Sequence, residues 1–115
     1  MSLLIYASLN AAIGHLVDGR VYADVMPDNA KFPNIRIEQD GGSISESMCD
    51  TEFDFSVNID VSAKTAEQRS QLIEEVHSIL KDSLNIKLQE LPECFWDAQL
   101  KVFRGIVTYS ILVKS

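Results

Sequence analysis

Cysteine is scarce in this chain: Cys49 and Cys94 are the two it has in 115 residues. Two are too few for a disulfide framework, and a domain of this length needs none. The pattern fits a protein made in a reducing cytoplasm, with a Cys49–Cys94 bridge as the lesser alternative. Histidine is equally scarce, with only His15 and His77. No Cys-x-x-Cys or His-x-x-x-His spacing occurs, so zinc lacks its usual ligands. Long apolar runs are missing too. No stretch approaches the ~20 residues of a membrane span, and Met1–Ala7 has no basic segment of the kind that opens a secretory signal. Positive charge is in short supply, with ten Lys and Arg against seventeen Asp and Glu and a net charge of -7. That balance excludes a protein that grips nucleic acid by its phosphates, an affinity that rests mainly on Lys and Arg. What is present is ordinary for a globular chain, 46% apolar and 23% charged. The reading is one domain, residues 1–115, burying ~60–70% of its unfolded surface.

Periodicity lays out the elements. Ile5, Leu9, Ala12, Ile13, Leu16 and Val17 recur at helical spacing, and Gly19 supplies a left-handed stop. Residues 20–25 read as a short strand closed by the turn cluster Met26-Pro27-Asp28-Asn29. A second strand opens after Pro33 with Ile35 and Ile37, and residues 39–50 are either a flexible loop or the tip of a long hairpin. Phe53, Phe55, Val57, Ile59 and Val61 then alternate with Glu52, Asp54, Ser56, Asn58 and Asp60, a strand with one face on a core and one face wet. Fully extended, Thr51–Ser62 spans about 40 Å, about twice a typical strand, so it bends, bulges or projects. Thr65-Ala66-Glu67-Gln68 is a capping box that opens a helix with Leu72, Ile73, Val76, Ile79, Leu80 and Leu84 on one stripe. After a loop around Leu91-Pro92-Glu93, Cys94, Trp96, Ala98 and Leu100 alternate with polar or charged neighbours and Phe95. A last strand runs from Ile106 to Val113. The order α-β-β-β-α-β-β predicts an α+β fold: an antiparallel sheet of about five strands with two helices on one face.

Catalytic chemistry finds little to work with. Neither histidine stands beside a nucleophile elbow, and Cys49 lies in the Gly- and Ser-rich segment where preorganisation is poor. Glu74-Glu75-Val76-His77 contains one Glu-x-x-His, whereas a di-iron bundle needs two copies and further carboxylates. Glu52 and Asp54 stand roughly 7 Å apart along their strand and lack the loop pattern of a calcium hand. Gly41-Gly42 matches neither phosphate-binding fingerprint. The expectation is a protein that is not an enzyme and carries no metal or cofactor. An enzyme whose site is assembled from unremarkable residues stays as a competing class.

One uneven feature remains. Glu38, Asp40, Glu46, Asp50, Glu52, Asp54 and Asp60 fall between Ile37 and Ala63, and no base does. Beside the plain reading as a solvated face stand two functional ones. The acids face something anionic without holding it, or they pair with a basic patch of a partner.

Gly19-Arg20-Val21-Tyr22, then Asp24, Pro27 and Pro33 ahead of Ile35 and Ile37, all following a first helix, resemble the tail-completion and tail-terminator proteins of long-tailed bacteriophages and prophages. The likeness extends to element order and size. Asn34 departs from it, since the family often has an aromatic residue there. The resemblance implies a structural protein that closes the tail tube as a ring, commonly of six subunits, and presents a surface to the head connector. It implies no catalytic residue. Gly19, Arg20, Val21, Tyr22, Asp24, Pro27 and Pro33 would be scaffold. The long strand would touch the next subunit, and the acidic stretch would line a lumen through which DNA passes without being held. The protein would be found in the bacterial host cytoplasm during assembly and then in the virion tail or neck, with no membrane partner. The alternative is an acidic adaptor or inhibitor that binds a basic partner through residues 38–60.

Overall fold

A computed structural model of the chain describes residues 3–46, 51–82 and 85–114. Its elements are α1 (Leu3–Ile13), a 3₁₀ turn (Gly14–Val17), β1 (Val21–Ala23), β2 (Asn34–Glu46), β3 (Thr51–Ala63), α2 (Ala66–Leu80), β4 (Ile86–Asp97) and β5 (Val102–Lys114). The fold is α+β, in the order the periodicity predicts.

The first helix tightens at Gly14 and stops where Asp18 and Gly19 both turn left-handed, at φ 51° and 78°. The Gly19 N–H closes that stop on the Gly14 carbonyl at 2.8 Å. Thr65 caps α2, its hydroxyl accepting the Gln68 N–H at 3.1 Å. The apolar stripes of the two helical segments meet the sheet as their spacing requires. Ile5, Leu9, Ile13 and Val17 join Leu72, Ile73, Val76 and Leu80 over Ile35, Ile37, Val57, Ile59, Val61, Val107 and Tyr109. Each of these large side chains contributes about 1.5–3 kcal/mol by leaving water. Gly105 allows α2 its close approach, because a Cβ there would collide with Ile73 Cδ1.

The five strands lie in the order β1-β2-β3-β5-β4. The sheet is mixed rather than wholly antiparallel, since β1 runs parallel to β2 through Val21↔Ile35 and Ala23↔Ile37. Residues 24–33 must therefore travel back the length of β1 before β2 begins. They do so across the face of the sheet that the helices leave open.

Through Glu46 the polar stretch after Ile37 is strand, one side of the long hairpin, and residues 47–50 lie outside the described residues. β2 continues through it to Glu46, which pairs with Thr51, and the register shifts between Gln39 and Gly42. Glu52 also pairs with Lys114 of β5. Beyond Val57 these strands outrun the fully buried core and form an arm at one end of a molecule measuring 51 × 25 × 23 Å.

β4 differs most from expectation. It starts before Leu91, runs through Pro92 with two register shifts, and ends at Asp97. Cys94, Trp96, Ala98 and Leu100 are all exposed, Trp96 by 51%. They alternate as a core face does, yet β4 is an edge strand of the sheet and these side chains stay in solvent.

Candidate functional site

The open face of the sheet is divided into two parts along β3. At the end away from the arm, Asp60 is 1% exposed. It belongs with no acidic surface, because two guanidiniums close on it. Arg36 Nη2 reaches Asp60 Oδ2 at 3.2 Å, Arg104 Nε reaches Oδ1 at 3.3 Å, and Arg104 Nη2 binds Oδ2. A buried carboxylate is tolerable only when paired and hydrogen-bonded in this way. The same arginines reach outward. Arg36 Nη1 donates to Glu38 at 2.6 Å and to the Asp24 carbonyl at 2.8 Å, while Arg104 Nη1 donates to Asp97 at 3.0 Å. One cluster thus ties β2, β3, β5, the end of β4 and the start of the 24–33 segment.

Electrostatics follow the contacts. The hydrogen bond to Asp60 holds the Arg104 guanidinium above its ordinary value. Asp97 is held below the usual carboxylate range first by the Leu100 N–H and then by Arg104. Its carboxylate takes the Gln99 and Leu100 N–H groups, each at 3.0 Å, which builds the turn between β4 and β5.

Over this cluster lies a groove of about 430 Å³. Its walls are the returning segment (Asp24, Val25, Met26, Pro27, Asp28, Ala30 and Phe32) and Leu100 of the turn, and Arg36 and Arg104 are its floor. Val25 is 76% exposed and Leu100 44%. Lys31 and Lys101, next in sequence to groove-lining residues, are exposed, as is Lys64, whose Nζ lies 5.3 Å from the centre of the Phe32 ring.

Of the scaffold positions named in the sequence, Asp24 and Pro27 line the groove. Arg20 Nε donates to the Pro33 carbonyl at 2.8 Å, and the Tyr6 hydroxyl donates to the Val21 carbonyl at 2.7 Å. Tyr22 pairs with Arg36 in register. Asp24 has φ 64° and its N–H binds the Ile37 carbonyl at 2.9 Å. The Pro27 carbonyl accepts the Ala30 N–H at 3.1 Å, and Pro33 follows a cis peptide bond.

Toward the arm the open face is wet. Asp40 and Asp54 are exposed, Glu38 and Glu52 half-buried. Asp40 and Asp54 line a second hollow of about 430 Å³ with Gly42, Ser56, Gln89 and Ser110. Polar pairs cross the strands here: Thr108 to Asn58 at 2.8 Å, Ser56 to Gln89 at 3.1 Å, and Ser110 to Asp54. Asp50 and Cys49 lie outside the described residues, as does the side chain of Glu46. Cys94 is a free, exposed thiol. Among the described residues no three His, Cys, Asp or Glu converge to hold a metal, and no helix is long and apolar enough to cross a membrane. His77 is taken up in packing. Its Nδ1 lies 3.0 Å from the Tyr109 hydroxyl, whose pKa burial pushes up to about 12.

The tail completion protein gp17 family matches residues 4–114. The chain belongs to that family. It is a structural protein of phage tail completion. The fold agrees with a chain of a solved particle described as the virion of native gene transfer agent. That comparison has a TM-score of 0.60 at 13% identity and covers 98% of this chain and 89% of the other. No curated protein matches. Sequence reasoning named the tail-completion family from its scaffold residues but missed the groove.

Proposed function

We propose that this tail-completion protein caps the tail tube as a ring of identical subunits, six in the commonest arrangement, and joins it to the head connector. The observation that carries this reading is the shape of the subunit within its family. A β2–β3 arm projects past the helix-covered core at one end, and a groove lies at the other. Different surfaces at opposite ends are what a head-to-tail contact needs, and such contacts close into a ring when the rotation fits. The resemblance to a chain of a gene transfer agent virion supports a place in the tail or neck of a particle, after assembly in the host cytoplasm. The role is architectural and not enzymatic. A net charge of -7 works against holding DNA that passes through such a ring.

Native mass spectrometry at high protein concentration, with electron microscopy of purified tail tubes, tests this. Closed rings, free or seated on tube ends, are expected. Monomers that leave the tube ends bare would overturn the reading. The runner-up, an acidic adaptor, predicts instead a tight one-to-one complex with a basic protein, lost when Asp40 and Asp54 become Asn.

A further inference from the structure

The proposed ring leaves open which surfaces meet, and the two ends of the subunit are chemically unlike. We infer that the arm of one copy seats in the groove of the next, an assignment that rests on the ring reading above. Three independent observations converge on it.

The first is the groove itself. Val25 and Leu100 are exposed large apolar side chains, and both line one concavity with Met26, Pro27 and Phe32. The guanidinium floor is already neutralised by Asp60, Asp97 and Glu38. The groove is therefore built to receive a side chain with apolar surface rather than a bare anion.

The second observation is the arm. Phe55 packs against the core and carries Phe53 stacked on it, with ring centroids 6.0 Å apart. Phe53 thereby extends the apolar face of β3 outward past the fully buried residues, and it remains half-buried in the isolated subunit.

The third observation is charge. Lys31 and Lys101 adjoin groove-lining residues and are exposed, as is Lys64 over the Phe32 ring. Where the arm begins, Asp40 and Asp54 are exposed beside each other in one hollow, Asp40 accepting from Asn58 and Asp54 from Ser110. Opposite charges meeting across a contact set its register and discourage wrong pairings such as arm against arm. Because arm and groove lie at opposite ends of a 51 Å molecule, the contact is heterologous and each copy offers one of each surface. This assigns the exposed acids a task at the subunit boundary and takes Asp40 and Asp54 away from the lumen.

A charge exchange tests the inference. One variant carries K31E and K101E, a second carries D40K and D54K, and circular dichroism confirms that both are folded. Alone, each is expected to lose at least about tenfold in the assembled fraction seen by native mass spectrometry. An equimolar mixture restores assembly, with the two variants alternating, because each reversed arm then meets a reversed groove. Wild-type rings together with variants that assemble unimpaired would overturn the arm-in-groove contact and leave the ring standing. So would variants that show no recovery on mixing. Wild type that forms no ring, alone or on tail tubes, overturns the ring reading and this contact with it.

Discussion

Asp54 and Asp60 stand on the same face of the same strand, and one is exposed while the other is 1% exposed. The backbone treats them alike, so what separates them is what stands opposite. Asp60 lies across from Arg36 in register and within reach of Arg104. Asp54 lies across from Ser43 and Leu112. The carboxylate at the closed end ties β3 to β2 and β5. The one on the arm accepts from the Ser110 hydroxyl and is otherwise open to solvent. A strand face is thus not one environment, and its chemistry is decided by partners distant in sequence.

The largest expected effect comes from breaking the closed end. Asp60→Asn keeps the shape but leaves two guanidiniums without their shared counter-charge, and removing one partner of a buried ion pair costs about 3–5 kcal/mol. Denaturant unfolding should show a loss of that size. A loss below about 1 kcal/mol would mean that this end is as wet as the arm.

Midway between the two ends, on the helix face, Tyr109→Phe removes the hydroxyl bonded to His77 at 3.0 Å. The expected cost is about 1 kcal/mol at neutral pH. The pH dependence provides a second check. The unfolded tyrosine ionises near 10.0, whereas the folded one holds its proton to about 12. The folded state therefore binds more protons in that window, and its stability falls as pH rises through it. Below the window the contribution is fully present. The wild type should lose stability relative to Tyr109→Phe between those values, and parallel curves would contradict the assignment.

The smallest effect belongs to the arm. Asp54→Asn should change folding stability by no more than about 0.5 kcal/mol, as for other exposed positions. A larger loss in the unfolding midpoint would place Asp54 in the same class as Asp60 and abolish the contrast.

Much of this was legible in the chain. The helix stripes, the Thr65 cap, the order of elements and the long third strand follow from periods of 3.6 and 2, which the side chains obey because one face of each element is covered. The family was legible in Gly19, Arg20, Tyr22 and the spaced prolines. Three things were not. Alternation at Cys94, Trp96, Ala98 and Leu100 looks like alternation at Val57, Ile59 and Val61, because a pattern reports two unlike faces and not whether a layer lies on either. The parallel pairing of β1 depends on the path of residues 24–33 and leaves no periodic trace. The burial of Asp60 depends on Arg36 and Arg104, which are 24 and 44 residues away, and local pattern carries no information at that range.

The edge strand β4 has one more consequence. Pro92 sits in its middle without an N–H, and the register slips on both sides of Glu90. A foreign strand laid along that edge would meet a missing donor, two kinks and the charges of Glu90 and Glu93. Crowded copies therefore find along β4 a broken template for zipping into fibres.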